Sequence, residues 1–170
     1  MRVVHLLRHA KSSWEDPGHL DAERPLAPRG RRAARAMAEH LRREGIRPAL
    51  ILCSPARRTR ETLELVAEAL PDVPARVEQE LYGAGEEDLL IRLRKLPATA
   101  PSVLLIGHNP ALQGLAVALA GSGEREALDR LRAKMPTGAL ATLQAPVSRW
   151  RDLGPGGAEL VAFVTPRELV

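Results

Sequence analysis

Short apolar runs alternate along this chain with segments whose apolar residues recur every three or four positions. Val3 to Leu7, Ala49 to Cys53 and Ser102 to Ile106 are runs of continuous apolar character, the pattern of strands buried on both faces. Between them lie helical periods. In Pro28 to Arg43 the apolar positions are Ala33, Ala34, Met37, Ala38 and Leu41, and Gly45 ends the segment. In Arg57 to Leu70 they are Leu63, Val66, Ala67 and Leu70. Further helices are predicted over Glu86 to Leu96, Ala111 to Ala120 and Glu124 to Lys134. Ala75 to Val77 is a candidate short strand behind the break at Pro71-Asp72-Val73-Pro74. Ala139 to Gln144 alternates as a half-buried strand does. Leu160 to Val164 is its expected partner, in an antiparallel hairpin at a sheet edge. Strands alternating with helices predict an α/β fold on a mainly parallel sheet. At 170 residues, without internal repeat or long linker, the chain reads as one domain, 1–170.

The polar residues that matter sit where apolar runs end. The first run closes on Leu7-Arg8-His9-Ala10, the second on Ser54-Pro55-Ala56-Arg57-Arg58-Thr59-Arg60-Glu61-Thr62, the third on Gly107-His108-Asn109-Pro110. Ligands of open α/β sheets bind outside the carboxyl ends of the strands. Three strand ends therefore deliver arginines and histidines to one edge. A phosphoryl group carries about two negative charges and three acceptor oxygens, which the planar fork of arginine suits. Arg8 and Arg58 fit that role, and His9 is a nucleophile as long as its imidazole is neutral. Neighbouring guanidinium groups favour that state, and a backbone carbonyl can fix the tautomer. His108 adds a donor for charge developing on the transferring group. Gly107 permits close backbone approach, and Pro110 suits the first turn of the next helix. Residues 8 to 28 form a long polar loop, which in a small domain is usually functional. Trp14 within it is read as either lining the pocket rim or packing the loop down.

Composition narrows the field. The single cysteine, Cys53, excludes an intrachain disulfide and reads as a core residue. The net charge of +4 raises nucleic acid as a partner, yet the arginines are interleaved with glutamates and aromatics are nearly absent. No run reaches the length of a membrane span and the chain opens without a signal-peptide pattern, so the cytoplasm is expected. His5 shares a strand face with His9, but no carboxylate or thiol completes a ligand set, and neither metal nor cofactor is expected. His19 and His40 read as surface residues, and Arg57 and Arg60 as solvated or structural.

The set Leu7-Arg8-His9-Ala10, Ser54 to Thr62 and Gly107-His108-Asn109 resembles the histidine phosphatase, or phosphoglycerate mutase-like, superfamily. The small size, and Asp21-Ala22-Glu23-Arg24-Pro25-Leu26 followed by Gly30, resemble its SixA-type phosphohistidine phosphatase branch. The resemblance runs from Arg2 to at least Leu143. It implies a three-layer α/β/α fold with a mainly parallel sheet and an antiparallel edge. It implies His9 as the phosphorylated nucleophile and Arg8, Arg58 and His108 as the phosphate pocket, with Arg24 and Asn109 as further phosphate or substrate contacts. Ala10 stands where the superfamily often has glycine. Glu80 lies in the stretch where many members carry a general acid, although SixA-type enzymes do without one. An imidazole leaving group is easier to expel than an alkoxide. The implied function is removal of phosphate from phosphohistidine on a signalling or phosphorelay protein. The alternative is a broad-specificity phosphatase of small phosphomonoesters. Mutase chemistry is disfavoured, because little chain lies between Tyr82 and Gly107 to build a lid. A non-catalytic phosphate- or RNA-binding module is the reading from another class. The intact His9 and the scarcity of aromatics count against it. No nucleic acid and no membrane partner is expected.

Overall fold

The computed structural model describes residues 1–169. In chain order the strands and helices are β1 (Arg2–Arg8), α1 (Pro28–Arg43), β2 (Leu50–Cys53), α2 (Arg57–Ala67), β3 (Ala75–Val77), α3 (Glu86–Arg94), β4 (Ser102–Gly107), α4 (Ala111–Leu119), β5 (Ala120–Gly123), α5 (Arg125–Ala133), β6 (Leu140–Ala145) and β7 (Ala158–Val164). The strands form one sheet in the order β3-β2-β4-β1-β6-β7-β5. The β3, β2, β4 and β1 neighbours are parallel, β6 is antiparallel to both β1 and β7, and β5 runs parallel to β7.

The apolar runs are continuous because helices cover both sheet faces. Val4, Leu6, Leu50, Leu52, Val103 and Leu105 point into a core closed by α3, α4 and α5. Their alternates Leu7, Ile51, Cys53, Leu104 and Ile106 pack under Met37, Ala38 and Leu41 of α1 and Val66 of α2. Side chains of a strand alternate in direction, so two buried faces require every position to be apolar. His5 is the polar exception within the apolar stretch Val3 to Leu7 of β1. It is buried, its Nδ1 lies 2.9 Å from Thr142 Oγ1, and burial lowers its pKa to about 4. Cys53 is buried, and burial pushes its thiol up to about 12.

Two expectations change. The β6–β7 hairpin lies inside the sheet, because β5 occupies the border beyond β7. The run Ala120-Gly121-Ser122-Gly123 offers no apolar pattern to read. Its strand character comes from close backbone approach, since a Cβ on Gly121 would stand 2.1 Å from Gly156 O. Helix α2 also stops short of Leu70. The amides of Ala69 and Leu70 bond to Val66 and Ala67 carbonyls, a tightening of the last turn before Pro71.

The 8–28 loop is tied at its base. Ser13 N donates to Pro25 O at 2.8 Å and Ala27 N to Lys11 O at 2.9 Å. Gly30 makes this possible, because a Cβ there would stand 2.0 Å from the Lys11 carbonyl oxygen.

Candidate active site

The parallel strands β1, β2 and β4 end at one edge, and their backbones remain joined one step past the strands. His9 N donates to Gly107 O at 3.1 Å and Ser54 N to Ile106 O at 3.2 Å. This places Arg8, His9, Ser54 and His108 side by side, and α2 adds Arg58 from its first turn. The ring centroids of His9 and His108 are 5.4 Å apart, and Arg58 Nη2 lies 3.4 Å from His108 Nδ1. Arg8, His9, Arg58 and His108 converge as the strand-end pattern predicts.

His9 is buried, and its Nδ1 lies 2.7 Å from the Ala10 carbonyl oxygen. A carbonyl only accepts, so Nδ1 carries the proton and Nε2 keeps a lone pair. Burial is the main force lowering the His9 pKa, to about 3. His108, Arg58 and Arg8 act in the same direction, and the Ala10 bond partly opposes them. The ring is neutral at physiological pH. The Ala10 amide is held by Thr62 Oγ1 at 3.0 Å, and Thr62 in turn donates to Arg58 O at 2.7 Å. The Ala10 methyl packs with Leu26, Ala34 and Leu65, so alanine suits the position.

His108 lies between two partners. Its Nδ1 faces the Arg58 guanidinium and its Nε2 is 2.8 Å from Ser54 Oγ. Arginine only donates, so Nδ1 accepts and Nε2 donates to the serine. Burial first and Arg58 second lower the His108 pKa to about 4, against the carboxylate of Asp21. Arg8 is fixed through Nη1 to Met135 O at 3.0 Å. The Nε–H groups of Arg8 and Arg58 are buried without a protein partner.

Asp21 is the residue that sequence reasoning missed. Its backbone carbonyl accepts from Arg58 Nη1 at 2.8 Å, and its Oδ2 accepts from Arg58 Nη2 at 3.1 Å and Tyr82 Oη at 2.6 Å. Its Oδ1 pairs with Arg24 at 3.2 Å. The Tyr82 hydrogen bond, then Arg58 and Arg24, hold its carboxyl at about 2, although it is largely exposed. Asp21 belongs to the Asp-Ala-Glu-Arg-Pro-Leu segment, so the signal is present in the sequence, but its contact to Arg58 is not. Arg24 is buried, donates to Ser12 Oγ at 2.6 Å, and its guanidinium carbon lies 3.5 Å from the centre of the exposed Trp14 ring. Trp14 thus packs on a residue of the site while facing solvent.

Asn109 borders the cavity beside His108, and Glu80 lies in a different depression. Asn109 is engaged within the protein: its Nδ2 donates to Met135 O at 2.9 Å and its Oδ1 accepts from Gln113 N at 3.2 Å, capping α4. Glu80 is exposed and lines a shallow depression with Glu78, Arg92 and Lys95. The cavity beside His108, about 390 Å³, is bordered instead by the 83–86 segment, with Glu86 as its carboxylate. A Cβ at Gly107 would meet only Leu112 at 3.7 Å, so packing within the protein does not demand glycine there. Arg57 pairs with Glu61 at 3.0 Å and Arg60 bonds Pro55 O at 2.8 Å, both structural contacts.

Comparison with known proteins gives the family and fold. The profile of the histidine phosphatase superfamily, branch 1, matches residues 4–84. An uncharacterized protein of Mycobacterium tuberculosis is 39% identical over 163 residues, covering 95% of this chain and all of that one. A structure from Agrobacterium tumefaciens, assigned as the phosphohistidine phosphatase SixA, superposes with a TM-score of 0.83 at 31% identity, covering 97% of this chain and 98% of that one. The protein histidine phosphatase SixA complexed with tungstate superposes with a TM-score of 0.78 at 26% identity, covering 99% of each chain. The chain belongs to the histidine phosphatase superfamily, in its SixA-type branch, and is a phosphatase by that membership.

Proposed function

We propose that this protein removes phosphate from phosphohistidine on another protein through a covalent intermediate on His9. The observation that carries the proposal is the His9 Nδ1–Ala10 O bond, which leaves Nε2 as a neutral nucleophile beside two guanidinium groups. Arg8 and Arg58 bind the phosphoryl oxygens, and Arg58 exchanges its Asp21 contacts for the incoming group. His9 Nε2 attacks phosphorus, the bond from phosphorus to the leaving imidazole breaks, and that nitrogen takes a proton from solvent. Water then attacks the phosphorylated His9. Its hydroxyl stays on phosphorus, its proton returns to solvent, and Nε2 is released with its lone pair. His9 Nδ1–H remains on Ala10 O throughout, so the ring does not turn. The dianion raises the proton affinity of His108, whose ring then donates to the developing charge. The tungstate held by the related SixA protein is a tetrahedral oxyanion of the kind this pocket is built to take.

Imidazole is a good leaving group, so the scheme needs no carboxylic acid, and Glu80 lies outside it. A second reading is supported by the cavity beside His108, whose volume suits a small phosphomonoester. A panel of phosphohistidine protein, aryl phosphate and sugar phosphate separates the two. With wild type, phosphohistidine is expected to be cleaved fastest and to leave acid-labile phosphate on His9. His9→Ala is expected to lose about three orders of magnitude or more in turnover. Wild-type turnover in His9→Ala, or a preference for the sugar phosphate, would sink the proposal.

A further inference from the structure

Many arginines of this chain are neutralised by a near neighbour, as in Arg42–Glu39, Arg92–Glu78, Arg130–Glu168 and Arg149–Asp152. One region gathers cations without such partners. A groove of about 880 Å³ is lined by Lys11, Arg29, Arg32, Lys134 and Arg167, with no carboxylate among the described residues that line it. Among the described residues none of these five cations forms an ion pair. They come from four separate parts of the chain: the loop after β1, the start of α1, the end of α5 and the turn after β7. Read along the sequence they look like solvated helix charges; the fold gathers them.

The groove is at the edge of the sheet where His9 stands. Strand β7 is related to β1 by two antiparallel steps, so Thr165 emerges beside the carboxyl end of β1. Lining residues of the groove are next in the chain to residues that hold the site. Lys11 is two residues past His9. Met135, between Lys134 and Pro136, accepts from Arg8 and Asn109, and Gly138 N donates to His9 O at 2.9 Å. A ligand seated in the groove therefore lies alongside the phosphate pocket.

We infer that this groove docks an acidic surface of the protein partner that carries the phosphohistidine, an inference that rests on the function proposed above. A small anion would call for buried, fixed donors converging on one point. All five cations here are exposed and on long stems spread over the groove, which matches a surface bearing several carboxylates. Nucleic acid is the weaker match, because no aromatic side chain lines the groove to stack a base.

The test reverses two cations outside the catalytic pocket. The variant Arg29→Glu/Arg32→Glu places acidic residues near the N-terminus of α1, where the helix dipole favours them, so the fold is retained. Fluorescence anisotropy reads binding of a glutamate-rich peptide and of a single-stranded DNA of equal charge. The peptide is expected to bind wild type more tightly than the DNA does. Its affinity is expected to fall about tenfold in the variant, with a flatter salt dependence. Equal peptide affinity in the two proteins, or a preference for DNA, overturns the inference. Turnover is then compared on free phosphohistidine and on phosphohistidine flanked by glutamates. The variant is expected to raise KM for the flanked substrate alone. If wild type hydrolyses both substrates and the variant matches it on each, the groove is refuted and the catalytic reading stands. If wild type hydrolyses neither yet binds the peptide through Arg29 and Arg32, the catalytic reading fails and the acidic-ligand site remains.

Discussion

At the scale of single residues, the buried His5 and His9 and the half-buried His108 give the molecule a defined response to acid. His5, His9 and His108 are held near 4, 3 and 4, in each case first by burial. In the unfolded chain each binds its proton near pH 6.5. Between those values the unfolded state carries more protons than the native one, so stability is full above about pH 6.5 and falls as pH drops through the window. Chemical denaturation at pH 7 and pH 5 is expected to show this loss, and ring NMR is expected to show His9 as the neutral Nδ1–H form at pH 5. A His9 ring that titrates near 6.5 would contradict the geometry at Ala10. Asp21 supports a second prediction. Its carboxylate occupies guanidinium donors of Arg58 that an oxyanion needs and repels a dianion placed there. Asp21→Asn is expected to tighten inorganic phosphate about tenfold by calorimetry, the scale of one partly solvated charge interaction. Weaker phosphate binding would mean that Asp21 serves to order the arginines rather than to compete for them.

At the scale of elements, glycine separates two roles around one helix. Gly30 sits in the first turn of α1 under the Lys11 carbonyl, whereas Gly45, just past the end of α1, has φ +64° and open space within 4 Å of where a Cβ would stand. Gly30→Ala pushes α1 off the loop that carries Arg24. It is expected to cost about 3 kcal/mol or more in denaturant unfolding and to slow turnover. Gly45→Ala meets only backbone strain, about 1–2 kcal/mol, with turnover unchanged. The reverse order would show that the loop does not depend on α1. Elements with a side-chain signal were legible in the sequence. β1, β2 and β4 announced themselves as apolar runs because both faces are covered, and the residues ending them gave Arg8, His9, Arg58 and His108. What stayed hidden has no local signal. β5 is a strand through main-chain pairing alone, and Ala-Gly-Ser-Gly carries no apolar pattern. The partners of Asn109, Met135 O and the start of α4, are likewise hidden, because a motif names a residue but not what it bonds. The contacts of Asp21 to Arg58 and Tyr82 span 37 and 61 residues, distances no local pattern reports.

At the scale of the whole molecule, the proposed mechanism gives positive charge the work that a metal does in other phosphoryl-transfer sites. Among the described residues no three His, Cys, Asp or Glu side chains gather to hold an ion, while Arg8 and Arg58 supply fixed cationic donors at the pocket. Turnover is expected to survive exhaustive chelation; loss with EDTA and recovery with a divalent ion would point to different chemistry. The backbone hydrogen bonds that join His9 to Gly107 and Ser54 to Ile106 carry a last consequence. Neighbouring strands are separated by a distance set by peptide hydrogen bonding, about 4.8 Å, whatever side chains they bear. The spacing between His9 and its flanking groups is thus inherited from the main chain. Substitutions in the 8–28 loop, the 83–86 segment or the basic groove can change which molecules are admitted, while the reacting distance stays where the sheet sets it. The scaffold separates choice of substrate from reaction geometry, so one can drift without disturbing the other.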